Sequence, residues 1–103
     1  MKNIFDDIPN ELPHEVFSDL LNSDGVKIER IISKGHQSPI DGWYDQTTNE
    51  WLILIQGSAT LIFENKPTLT LETGDYLNIP AHQKHKVSWT DPSIETIWLT
   101  VHY

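Results

Sequence analysis

From Val26 to the C-terminus, turn-forming residues interrupt the chain every few positions. They fall at Lys34-Gly35, Thr47-Thr48-Asn49, Gln56-Gly57-Ser58, Glu64-Asn65-Lys66-Pro67, Thr73-Gly74, residues 80–84 and Thr90-Asp91-Pro92-Ser93. Each of these residue types favours a bend for its own reason: Gly through positive φ, Pro through a fixed φ, Asn, Asp and Ser through local side-chain hydrogen bonds. The segments between them are rich in Val, Ile, Leu and Trp and read as strands over 26–33, 42–46, 51–56, 59–64, 68–72, 75–79, 85–89 and 96–102. Eight short strands predict an all-β fold, either a sandwich or a closed barrel. There is no internal repeat and no low-complexity tract.

The first 24 residues differ in character. They hold six acids and one Lys, a net charge of −5, against −3 for the remaining 79 residues. Within them, residues 13–21 predict a short helix. Pro13 suits the first helical position, Glu15 suits the positive end of the dipole, and Val16, Phe17, Leu20 and Leu21 form an i, i+4 apolar stripe. Two turns of helix are unstable alone, so this acidic segment 1–24 is expected to pack on a β domain spanning 25–103, with Ile4, Phe5 and Ile8 beside the helix. His14 falls on its solvated side.

Composition narrows the function classes. The 103 residues include no Cys, which excludes a disulfide scaffold, a CxxC zinc site, an iron–sulfur cluster and a thiol nucleophile. Seven Lys+Arg against fifteen Asp+Glu give a net charge of −8, and the basic residues cluster no further than Lys84 and Lys86. A nucleic-acid partner needs a basic stripe, so none is expected. No apolar run approaches the ~20 residues of a membrane span, and the N-terminus has no secretory pattern. The expectation is a cytoplasmic protein with no membrane partner.

In Trp51-Leu52-Ile53-Leu54-Ile55 every position is apolar, so both faces of that strand call for burial. Leu52 and Leu54 can line an interior while Trp51, Ile53 and Ile55 face outward. Ile97, Leu99 and Val101 alternate with Trp98 and make the same demand. The N-terminal helix or a second copy of the chain can meet it, and a homodimer is expected.

Two segments carry chemistry. In the first, Glu50 opens the apolar strand and Gly57 closes it; the second runs from Gly74-Asp75 through Pro80 to His82 and His85. These residues resemble the cupin superfamily, whose first motif is G(X)5HXH(X)3–4E(X)6G and whose second is G(X)5PXG(X)2H(X)3N. Glu50 and Gly57 match the latter half of the first motif, and Gly74, Pro80 and His85 match the second at its spacing. The chain looks like the small single-domain bacterial cupins. The resemblance implies a double-stranded β-helix, or jelly-roll barrel, of two sheets. It also implies a divalent metal (Fe, Mn, Ni or Zn) in the barrel mouth, held by three His and one Glu. Such a metal leaves open positions for a substrate.

The chain departs from that pattern at the HXH pair. Four residues between the pair and Glu50 put Trp43 and Asp45 at the two His positions; three put Tyr44 and Gln46 there. Trp43 cannot ligate a metal, whereas Asp45 or Gln46 can through oxygen. The implied metal donors are therefore Asp45, Gln46, Glu50 and His85, an oxygen-rich set. His36, Trp43, Tyr44 and His82 complete the expected pocket. His36 could swing inward to replace an imidazole. His82 stands where the motif has Gly, and a turn role competes with ligation there, because His tolerates the left-handed region better than most residues. The run Trp43-Tyr44-Asp45-Gln46 also suits a metal-free site for a sugar or another small polar molecule; the alternative is that Trp43 and Tyr44 plug one end of the barrel.

Three functions are open on this sequence. One is a metal-dependent enzyme on a small organic acid or sugar derivative, with His36 or Tyr44 moving a proton. Another is a small-molecule binding or sensing barrel without catalysis. The third is a partner-binding module using the acidic segment. A small-molecule ligand is the expected partner under the first two.

Overall fold

The computed structural model describes residues 1–103 and contains eight strands: β1 (Val16–Ser23), β2 (Val26–Ser33), β3 (Glu50–Gln56), β4 (Ser58–Phe63), β5 (Lys66–Glu72), β6 (Tyr76–Ile79), β7 (His85–Thr90) and β8 (Thr96–His102). They form two sheets. One has five strands in the order β1-β2-β8-β3-β6, and the other has three in the order β5-β4-β7. All pairings are antiparallel. No helix is long and apolar enough to cross a membrane.

The expected helix over residues 13–21 is replaced by β1, which pairs along β2 from Val16 opposite Ile32 to Ser23 opposite Val26. The register shifts between Asp19 and Leu21, so one extra residue is taken up there. That shift explains the misleading stripe, because a strand interrupted by one extra residue can mimic the i, i+4 spacing of a helix. Pairing with β2 satisfies the segment's backbone groups at once, which an isolated two-turn helix cannot achieve. The expected strand over 42–46 is also absent. Only Tyr44 pairs there, in a single bridge to His85. Residues 34–49 are loop, tied to β7 where the Ser38 amide donates to the Val87 carbonyl (2.8 Å) and the Tyr44 amide to the His85 carbonyl (2.8 Å). Gly42, at φ 98°, and Pro39 break the extended run.

The core lies between the sheets. Leu52, Leu54, Ala59, Leu61, Phe63, Leu71, Ile79 and Trp98 form one buried cluster, with Ile31, Leu77 and Val87 packed against it. Alternation along β3 sends Glu50, Leu52 and Leu54 inward, all buried, while Trp51, Ile53 and Ile55 lie half-buried on the outer face. The N-terminal segment crosses the outer side of β2, where the Arg30 guanidinium donates to the carbonyls of Ile4 (3.0 Å) and Asp6 (2.6 Å). Ile4 and Ile8 are half-buried there and Phe5 is exposed.

Two motif positions have clear steric reasons. Gly57 sits at φ 97° between β3 and β4, and a Cβ there would lie 2.6 Å from Thr96 Cα. His82 adopts φ 65°, the left-handed conformation that the motif's Gly would take.

Candidate functional site

Six strands, β1 to β4, β7 and β8, and the 34–49 loop surround a cavity of about 170 Å³. Its walls include Tyr44, Leu52, Leu61, Val87 and Trp98, and its polar groups include Gln46, Glu50, His85, Thr100 and His102. Glu50 enters as the first residue of β3 and His85 as the first of β7, so each sheet contributes one. Both are buried, at 7% and 5% exposure, and His85 Nε2 lies 3.4 Å from Glu50 Oε1.

The imidazole's other nitrogen fixes its chemistry. His85 Nδ1 lies 2.8 Å from the Gln83 carbonyl oxygen. A carbonyl can only accept, so Nδ1 carries the proton. A neutral ring would then turn a lone pair at Nε2 toward the Glu50 carboxylate, whereas a protonated ring turns a donor. Burial pushes the His85 pKa down, but the hydrogen bonds to Glu50 and Gln83 and the charge of Glu50 outweigh it. The group is held above its ordinary 6.5. Tyr44 and Phe63 tilt against the ring at centroid distances of 5.7 and 6.2 Å and fix its plane.

The structure separates the two alignments of the missing pair. Tyr44 and Gln46 line the cavity; Trp43 and Asp45, one residue out of phase, do not. Trp43 packs outside under Lys86, whose Nζ lies 4.8 Å from its ring centre. The Asp45 carboxylate, expected as a metal donor, lies outside the cavity and meets His82 Nδ1 at 3.0 Å on the exposed side. His82 itself is two-thirds exposed and serves the turn. His36 also stays out of the cavity. Its Nδ1 accepts from the Lys34 amide (2.9 Å), a local contact that holds the ring in its own turn.

Three ionisable cavity residues, Glu15, Glu29 and His102, lay outside the sequence-based site. Glu29 on β2 is buried, and its Oε1 lies 3.7 Å from His102 Nε2 on β8. His102 is the direct cross-strand partner of Glu50, so three polar residues of one sheet stand side by side. The signal was Glu29 alternating with Ile31 along one face of the Val26–Ser33 strand, but only strand pairing brings His102 beside it.

The residues present do not fit the implied divalent metal. Of the four expected donors the fold brings together Glu50, His85 and Gln46, and the first two already bond each other. A phenol and an amide stand where the pattern has imidazoles, and nowhere do three His, Asp or Glu side chains converge as a metal site. The arrangement can accept hydrogen bonds at the Glu50 carboxylate, His85 can donate to a bound molecule by exchanging its 3.4 Å contact with Glu50, and the pair can exchange a proton with that molecule.

Comparison with known proteins agrees with the geometry. The cupin domain model matches residues 31–102. A Ralstonia eutropha JMP134 protein, provisionally named a mannose-6-phosphate isomerase, is 44% identical with a TM-score of 0.94, over 99% of this chain and 95% of that one. A cupin superfamily protein from Desulfitobacterium hafniense DCB-2 superposes with a TM-score of 0.75 at 20% identity, over 92% and 82% of the two chains. An RmlC-like cupin from Methanocaldococcus jannaschii, with a double-stranded β-helix fold, gives 0.72 at 21% identity over 93% and 85%. No curated protein sequence matches the chain. With Glu50 and Gly57 on one motif strand, Gly74, Pro80 and His85 in the other motif, and a two-sheet barrel around them, the chain belongs to the cupin family.

Proposed function

We propose that the protein binds a small hydroxylated, sugar-like molecule in the inter-sheet cavity, with the Glu50–His85 pair as its central hydrogen-bonding and proton-exchanging group. The observation that carries this reading is the buried imidazole–carboxylate pair at 3.4 Å within a cavity of about 170 Å³. A cavity of ~150 Å³ accommodates a benzene-sized molecule, so the space suits one small ring or a short chain of carbons. Apolar walls with a few placed polar groups are the usual make-up of a ligand pocket. The likeness to a protein provisionally named for an isomerase of a sugar phosphate supports a sugar-like ligand class.

A resident divalent metal is not part of this reading. Glu50, His85 and Gln46 would be its donors, and they form a weak set in which two members satisfy each other. Metal analysis of untagged protein tests the point: substoichiometric metal is expected, and one equivalent surviving dialysis overturns it. The ligand reading is tested by amide NMR titration with a panel of neutral and charged monosaccharides and hydroxy acids. Shifts at Tyr44, Glu50 and His85 that disappear in His85→Gln are the expected result. If no compound moves these residues, the reading fails.

A further inference from the structure

The cavity lining contains three carboxylates, Glu15, Glu29 and Glu50, and two imidazoles, His85 and His102, but no Lys or Arg. With the carboxylates ionised, the lining is net negative even when both imidazoles are protonated. Lys27, outside the lining, pairs with Glu29 (3.4 Å) and with Asp19 (3.7 Å) and so offsets the Glu29 charge, but Glu15 and Glu50 have no Lys or Arg partner. Arg30 points to the opposite face of β2, where its guanidinium donates to Ile4 and Asp6.

The order of the polar groups is also informative. Glu29 meets His102 at 3.7 Å, His102 stands directly across from Glu50 in the β3–β8 ladder, and Glu50 meets His85 at 3.4 Å. Directly opposed residues hold their Cβ atoms ~5 Å apart on one face. The cavity wall therefore presents carboxylate, imidazole, carboxylate, imidazole in sequence, and Glu29 and His102 belong to neither motif. A row of alternating acceptors and donors matches adjacent hydroxyl groups, since each hydroxyl both donates and accepts. It does not match a phosphate or carboxylate, which mainly accepts at neutral pH and would face Glu15 and Glu50, two carboxylates with no Lys or Arg beside them.

We propose that Glu29 and His102 extend the Glu50–His85 pair into a recognition row for a neutral vicinal polyol, and that the cavity discriminates against phosphorylated ligands. This rests on the ligand reading above and specifies the chemistry of that same site. The selectivity opposes the phosphate in the name of the Ralstonia eutropha relative.

The test compares D-mannose with mannose 6-phosphate on the full-length protein by amide NMR titration. D-Mannose is expected to move His85 and His102 together and to bind at least about tenfold more tightly than its phosphate ester. Equal or tighter binding of the ester at these residues overturns the selectivity and leaves the ligand reading intact. So does a panel in which compounds move His85 and never His102. Silence of every compound at His85 overturns the ligand reading itself, and this proposal with it. Glu29→Gln, checked for a folded spectrum, is expected to weaken D-mannose binding and narrow the preference over the ester; an unchanged ratio overturns the role of Glu29.

Discussion

His85 has both ring nitrogens engaged, one by the Gln83 carbonyl and the other by Glu50, so its protonated form belongs to the folded state. Its raised pKa has a definite sign in stability. The contribution is fully present below the unfolded value of 6.5 and is lost as pH rises through the higher folded value. The wild-type melting temperature should therefore fall more than that of His85→Gln as pH rises above 6.5; parallel curves in differential scanning calorimetry would contradict this. Two backbone positions make an opposite pair at the same scale. Gly57→Ala must place a Cβ against Thr96 at φ 97°, and should cost about 3 kcal/mol in denaturant unfolding. His82→Gly relieves a left-handed non-Gly residue but loses the exposed contact to Asp45, and should change stability by less than about 1 kcal/mol.

Among the elements, β1 and β2 show how one ladder can join strands of unequal weight. Phe17 and Ile31 are register partners, yet β1 is an edge strand whose Phe17 is 57% exposed. Ile32 on β2, inside the sheet, is fully buried. Ile32→Ala should cost about 3 kcal/mol, and Phe17→Ala about 1 kcal/mol or less, by urea unfolding. Comparable losses would mean that β1 belongs to the cooperative core. The 34–49 loop has a separate role. It lacks a ladder of its own, yet its ties to β7 bring Tyr44 and Gln46 to the cavity and leave Trp43 and Asp45 outside.

At the scale of the whole molecule, the outer face of the five-stranded sheet presents half-buried Trp51, Ile53, Ile55, Leu99 and Val101, beside Tyr76, which stacks on Trp51 and is 68% exposed. A second copy of the chain on this face is the expected cover. Light scattering should give a dimer mass that Ile53→Asp reduces to a monomer; a monomeric wild type removes the expectation. The excess acidity of segment 1–24 stays largely outside the cavity, where of its six acids only Glu15 appears. Seven of the eight strands, β2 to β8, the inward alternation of Glu50, Leu52 and Leu54, and the motif positions Gly57, Gly74, Pro80 and His85 were legible in the sequence alone. They rest on local chemistry: period-two alternation, turn propensity and fixed spacing. The state of residues 16–23, the register of Tyr44 and Gln46, and the pairing of Glu29 with His102 were not. Each depends on which strand lies beside which, and that is decided by long-range pairing between segments up to about 75 residues apart, which no local pattern contains.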